Sequence, residues 1–187
     1  GGILTGYNTD ASGFLRAMAE RGIDPAGKNV VIIGAGGAAR AVSFVLSESR
    51  ANITIMNRAS GMERAVTLAE AVAKSTGGNP GVLELSDANL KQVLKKADIL
   101  VNTTSVGMSP DCEQSPVPGE YLRPGLAVYD IVYNPVRTKL IREAEAVGAG
   151  TISGIDMLVW QGILAFELWT GVKPPAETMK REVMKLL

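Results

Sequence analysis

Six short runs of apolar residues recur along the chain, most of them closed by a polar residue or glycine. Unbroken rather than alternating apolar runs mark strands buried on both faces, the pattern of a parallel sheet. NVVIIG (29–34) is the clearest, followed by ITIM (53–56), VLEL (82–85), DILVNT (98–103), LAVYDIVY (126–133) and a sixth near 149–152. Helical patterns alternate with them. GAARAVSFVLSES follows the first run, with Ala41, Val42, Val45 and Leu46 on one face. Further helices are expected over roughly 61–74 and 137–147. This alternation predicts an α/β fold, a doubly wound parallel sheet with crossover helices. SPDCEQSPVPGEY, rich in proline and acid, reads as a surface excursion beside the sheet's carboxyl edge.

Two helical regions fall outside the series. DASGFLRAMAERG (10–22) follows an Asn-Thr-Asp cap signal and turns Phe14, Leu15 and Met18 inward. IDMLVWQGILAFELWTG and, after Pro174-Pro175, AETMKREVMKLL are both helical, and the proline pair suits a helix start. Helices from the two ends are expected to pack against each other beside the sheet.

Composition narrows the chemistry. Lys plus Arg and Asp plus Glu both number 19, so neither nucleic acid nor an acidic membrane surface is an expected partner. The longest apolar stretch, MLVWQGILAFELW, is interrupted by Gln161 and Glu167 and is too short to span a bilayer. A single cysteine, Cys112, excludes an internal disulfide. No metal site is expected. Histidine is absent, which removes the Ser-His-Asp triad and imidazole proton relays. Acid–base work falls to Asp, Glu, Lys, Tyr or Cys.

GAGGAA (34–39) closes the first strand and opens the next helix, as G-x-G-x-x-A, the dinucleotide fingerprint of a Rossmann-like sheet. Gly34 permits the tight turn, Gly36 lets backbone approach a pyrophosphate, and Ala39 keeps helix and strand close. Gly37 and Ala38, with Ala35, present N–H groups at the helix start. GIDPAGKN (22–29) imitates a phosphate loop, but Asn29 stands where Ser or Thr must hold magnesium and the loop precedes its strand. It is a plain turn. An NAD site needs an acid at the end of the second strand to hold the ribose 2′-hydroxyl. Here that strand ends in Asn57-Arg58, and no Asp or Glu follows before Glu63. A guanidinium there grips a 2′-phosphate, with Arg64 adding a second charge, so the expected cofactor is NADP.

Six signatures in order, GYNTD (6–10), GAGGAA, NRA (57–59), NTTSVGM (102–108), YDIVYNPVRT (129–138) and GIDMLVWQ (154–161), make the sequence resemble the C-terminal NADP-binding domain of the shikimate dehydrogenase family over nearly its whole length. The resemblance implies a cytoplasmic enzyme that reversibly reduces 3-dehydroshikimate to shikimate with NADPH, in aromatic amino-acid synthesis. It also implies that residues 1–187 form the nucleotide domain with its flanking helices, and that an N-terminal substrate domain carrying the catalytic lysine is missing from the chain. Alone, the chain is then expected to bind NADP without turning over substrate.

By the same resemblance, Asp10 is the catalytic aspartate that pairs with that lysine and binds a ring hydroxyl. Any hydride moved at a carbon needs a proton moved at its oxygen, and a histidine-free protein does this with Lys and Asp. Capping its own helix is the alternative role for Asp10. Gln161, a lone amide one turn after Met157 in an apolar helix, and Tyr133 are expected at the substrate. An amide satisfied by backbone is the alternative for Gln161. Ile131, Gly154 and Met157 are expected beside the nicotinamide, and Thr103, Thr104, Ser105 and Met108 on the loop after the fourth strand, where ligands of such sheets sit. Ala59 replaces a usual threonine, with Ser60 as its substitute, and Ser105 replaces a frequent proline. Competing readings are a quinate/shikimate dehydrogenase using NAD or NADP and a non-catalytic NADP module. No tyrosine has lysine four positions on, which excludes a short-chain dehydrogenase.

Overall fold

The computed structural model describes residues 2–186; the expected domain's ends, Gly1 and Leu187, lie outside the described residues. Each apolar run becomes a strand because its alternate side chains meet helices on opposite faces. In β1 (Asn29–Ile33), Val30 and Ile32 face one core while Val31 and Ile33 face the other. The same division holds in β4 (Ile99–Asn102), with Ile99 and Val101 on one side and Leu100 on the other. The remaining strands are β2 (Asn52–Asn57), β3 (Gly81–Glu84), β5 (Ala127–Asp130) and β6 (Gly150–Ser153). All pair in parallel in the order β3-β2-β1-β4-β5-β6. That is the doubly wound order, whose switch point lies between β1 and β4.

Helices α1 (Thr9–Glu20), α2 (Gly37–Glu48) and α3 (Met62–Thr76) bury Phe14, Met18, Val42, Leu46, Leu68 and Val72 in the first core. The second core is closed by α4 (Asp87–Leu94) and α5 (Lys139–Ala146). Phe14 stacks on Tyr129 of β5 with ring centroids 4.5 Å apart, so α1 is fixed directly to the sheet. At the C-terminal end, α6 (Gly154–Thr170) buries Ile155, Val159 and Ile163 against Met179 and Val183 of α7 (Ala176–Met184). Helices from the two ends do pack together, as expected. No helix among the described residues is long and apolar enough to cross a membrane.

Four sequence expectations need correction. α4 was not expected: its buried face is only Leu90 and Leu94, one turn apart, behind a Ser86 cap. The fifth strand, expected through 133, ends at Asp130, because its carboxylate accepts the N–H of Val132 and bends the chain out of the sheet. The fourth, expected over 98–103, ends at Asn102, since Thr103 turns its hydroxyl back onto the Ile33 carbonyl. On α2 the fully buried residues are Ala39, Val42, Ser43 and Leu46, with Val45 half-buried against the same core, so the face extends to Ala39 and Ser43 and leaves Ala41 at its margin.

Candidate active site at the carboxyl edge

The glycine turn has the geometry a dinucleotide needs. Gly34 sits at φ +111°, and a Cβ there would lie 2.7 Å from the Thr103 hydroxyl oxygen, so the glycine backbone packs directly on the Thr103 and Thr104 side chains of the other loop. Next to it, a Cβ on Gly36 or Gly37 would meet nothing within 4 Å, and no side chain caps α2. The first-turn N–H groups of α2 therefore face open space, which suits a pyrophosphate.

Beside this turn, Ala35, Gly36, Gly37, Arg40, Glu63, Arg64, Thr67 and Leu68 line a cleft of about 590 Å³. Arg64 is in that lining as expected. Arg58 is not; it stands exposed at the end of β2, outside the cleft wall. Asn57 shapes this corner: its amide donates to the Gly61 carbonyl at 2.9 Å and its oxygen accepts the N–H of Arg58. Gly61 is packed so tightly on Asn57 that a Cβ would sit 2.5 Å from its Nδ2. Arg40 was missed in the sequence. Its guanidinium lies 5.0 Å over Phe44 and lines the same cleft as Arg64.

Across the switch point, strand register pairs Asn102 with Asp130. Both are fully buried, and the Asn102 amide donates to Asp130 Oδ1 at 2.9 Å. Oδ1 also accepts from Val132 N–H, and Oδ2 accepts from the Thr138 hydroxyl at 2.6 Å. The Asn102 oxygen accepts both the N–H and the hydroxyl of Thr104. Burial pushes the Asp130 carboxyl above the usual range, against the three donors that pull it down. The expected site residues of this side surround the network: Thr103 is buried, Thr104 is half-buried, and Ser105, Met108 and Tyr133 are exposed. Ile131 and Gly154 touch, since a Cβ on Gly154 would come within 2.3 Å of the Ile131 carbonyl oxygen.

The third part of the site is the antiparallel pair α1–α6. Arg21 bonds to Asp156, the Arg16 guanidinium lies 5.6 Å over Trp160, and Gly13 abuts the Gln161 backbone, where a Cβ would sit 2.8 Å from its nitrogen. Continuing along the pair, Tyr7, Asn8, Thr9 and Ser12 line an apolar cleft of about 330 Å³ with Leu164, Glu167 and Leu168. Asp10 is exposed, one turn before Gly13, and does not cap its helix: the Asn8 side chain does, accepting from Asp10 N–H at 2.9 Å. Gln161 donates its amide to the Leu158 carbonyl at 3.0 Å, which leaves its oxygen as the free acceptor. Met157, one turn before it, packs half-buried against the first core. A wider cleft, about 680 Å³, lies elsewhere, at the amino edge between Asn29, Arg50, Asn52 and Lys96, and takes no part in this arrangement.

Residues 17–109 match the family described as shikimate / quinate 5-dehydrogenase, and residues 154–184 match the shikimate 5'-dehydrogenase C-terminal domain. A shikimate dehydrogenase (NADP(+)) of Methanosarcina mazei is 48% identical over the whole chain. This chain belongs to the shikimate dehydrogenase family. It spans 65% of the length of the Methanosarcina mazei relative. Among solved structures of the family, the Listeria monocytogenes shikimate 5-dehydrogenase in complex with shikimate and NAD superposes with a TM-score of 0.90 at 35% identity, over 97% of this chain and 64% of that one. The Thermus thermophilus shikimate 5-dehydrogenase in complex with NADP(H) and shikimate gives 0.80 at 38%, over 97% and 64%. The Rossmann-like sheet is thus the shikimate dehydrogenase fold. What the sequence did not reveal is that the family signatures NTTSVGM and YDIVYNPVRT are tied together inside the sheet edge through Asn102, Asp130 and Thr138. The available signal was a polar residue at the same paired position in two apolar strands.

Proposed function

We propose that this chain is the cofactor-binding part of an NADP-dependent oxidoreductase that interconverts 3-dehydroshikimate and shikimate in aromatic amino-acid synthesis. The observation that carries the proposal is the second strand's end. Asn57 and Arg58 occupy the corner where an NAD site needs an acid, beside an uncapped glycine turn and a cleft walled by Arg40 and Arg64. Glu63 shares that lining, but two guanidiniums outweigh it for a phosphate guest.

On this reading Gly34, Ala35, Gly36, Gly37 and Ala38 hold the pyrophosphate, while Asn57, Arg58 and Arg64 take the 2′-phosphate. Thr103, Thr104, Ser105, Met108, Ile131, Gly154 and Met157 shape the nicotinamide end. NADP, when bound, supplies the hydride acceptor. Asp10, Tyr133 and the free oxygen of Gln161 bind substrate hydroxyls, and Asp10 takes part in moving the proton at the hydroxyl oxygen. The proton partner, a lysine, and the second wall of the substrate cleft belong to a substrate domain outside these 187 residues. Supporting this, exposed apolar side chains gather at this end of the α1–α6 pair, Tyr7 with Leu168 and, just beyond, Trp169 (83% exposed) and Val172, and Ile3 and Leu4 before α1 are exposed too.

The test is turnover of shikimate with NADP⁺ by the full-length enzyme, set beside calorimetric titration of NADP into the 187-residue chain. Binding by the chain without turnover, and turnover by the full-length enzyme, are expected. An inert full-length enzyme would refute the activity, and turnover by the chain alone would refute the divided site.

A further inference from the structure

We infer that Asp130 is a positioning residue: it sets the conformation of both loops at the nicotinamide end, and so governs that half of the cofactor and not the adenosine half. The inference rests on the cofactor reading above. It starts from an imbalance: Asp130 is fully buried and no ion pair joins it among the described residues, yet three donors converge on its two oxygens. A buried carboxylate without a countercharge is retained only where its hydrogen bonds accomplish something.

Those bonds reach every segment around the expected nicotinamide. Through Val132 N–H, the carboxylate fixes the turn that presents Ile131 and Tyr133. Through Asn102 it fixes the other loop, because the Asn102 oxygen holds Thr104 while the Asn102 amide also reaches the Val106 carbonyl at 3.4 Å. Through Thr138 it fixes the start of α5, whose Ile141 N–H the same hydroxyl caps at 3.3 Å. The two loops are also joined directly, Ser109 N–H donating to the Asn134 carbonyl at 2.9 Å. Gly154 then packs on the Ile131 carbonyl, so the entry to α6 inherits the same position. None of these bonds extends to Arg40, Asn57, Arg58 or Arg64, which stand on the far side of β1.

Asp130→Asn keeps the shape but removes the charge, so the bonds from Asn102 and Val132 lose their charge assistance and, with the amide nitrogen toward Thr138, that hydroxyl must turn from donor to acceptor. Thr138→Val removes one donor while keeping the shape, and Thr138→Ser keeps the hydroxyl. Two ligands separate the halves: NADPH, and adenosine 2′,5′-bisphosphate, which has no nicotinamide. NADPH fluorescence reports the nicotinamide's surroundings, and calorimetry gives both affinities. In the 187-residue chain, Asp130→Asn is expected to weaken NADPH about tenfold, the scale of one lost charge-assisted bond, and to reduce the fluorescence change. The bisphosphate should change less than about twofold. Thr138→Val should behave similarly but less severely, and Thr138→Ser should restore wild-type binding. Equal weakening of both ligands would make Asp130 a general support of the fold and overturn the inference, as would unchanged NADPH binding. If Asp130→Asn does not fold, the two Thr138 variants decide by the same outcomes. A wild-type chain that binds neither ligand would instead refute the cofactor reading itself.

Discussion

Arg58→Ala tests the cofactor preference most directly. Arg58 and Arg64 are both exposed, so the relevant interaction with a 2′-phosphate is partly screened. Two unit charges 4 Å apart interact by about 1 kcal/mol in bulk water and about 4 kcal/mol at the effective dielectric of a protein surface. A charge-assisted hydrogen bond falls between these, at roughly 1.5–3 kcal/mol. Because Arg64 stays in the cleft wall beside Arg40, the loss for Arg58→Ala belongs at the low end, roughly tenfold in NADP affinity. Adding Arg64→Ala should deepen the loss. NAD lacks the phosphate, so its affinity should move less than about twofold. The preference for NADP should also shrink with salt, as the screening length falls from about 10 Å at 0.1 M to about 3 Å at 1 M. Calorimetric titration of both cofactors into wild type and the two variants, at low and high salt, measures all of this. Equal losses for NAD and NADP would refute the reasoning, since Arg58 would then act through the corner around Asn57 and not on the phosphate.

The other predictions follow from single contacts. Asp10→Asn in the full-length enzyme should lower kcat by about a hundred- to ten-thousandfold with NADP affinity intact, because Asn8, not Asp10, caps α1; steady-state kinetics checks it, and a loss under about fivefold would make Asp10 structural. Gly34→Ala should destabilise the chain by about 1–3 kcal/mol and weaken NADP, since the new methyl strains the left-handed backbone and meets Thr103; thermal melts and titration measure both. Phe14→Ala deletes a fully buried ring stacked on Tyr129 and should cost about 3–5 kcal/mol, a fall of roughly 6–20 °C in Tm for a chain of this size. Tyr129→Phe should be neutral or slightly stabilising, because its hydroxyl is buried with no hydrogen-bond partner among the described residues, and burial pushes its pKa upward; a Tm drop beyond about 4 °C would show that the hydroxyl has a partner.

Burial on both faces is what made the sheet readable, since a strand covered by helices on each side can carry no solvated position to break its apolar run. The same logic misled at the strand ends. Ile131, Val132 and Tyr133 continue the apolar run of β5, and nothing in their types says that the preceding carboxylate will take the Val132 N–H and end the ladder. α4 was invisible for the opposite reason, two buried leucines being too few to set a period. At the site, features carried by single residue types were legible: the glycine turn, the missing acid after β2, and the lone amide of Gln161. Features created by cross-strand partners were not. Asn102 and Asp130 lie 28 positions apart, and only the register of β4 against β5 makes them one unit.

That contrast divides the site into two kinds of construction. The proposed adenosine side consists of open backbone N–H groups and exposed cations on α2, α3 and the end of β2, each attached to the fold by its own element. Such groups meet only through the ligand, so cations that share its phosphate should compensate for one another, and their effects should fade with salt. The proposed nicotinamide side consists of half-buried and exposed side chains placed by a single buried hydrogen-bond network. Members of one network do not add, because breaking any bond releases the same loops. Arg58→Ala with Arg64→Ala should therefore lose more than the product of their separate effects, since each guanidinium partly covers the phosphate when the other is gone, and the excess should shrink with salt. Asp130→Asn with Thr138→Val should be hardly worse than Asp130→Asn alone, and insensitive to salt. Double-mutant cycles with NADPH on both pairs, at two salt concentrations, distinguish the two constructions. Additive losses on the Asp130–Thr138 pair would mean that the carboxylate and the hydroxyl hold their loops separately, and the network would lose its standing as one unit.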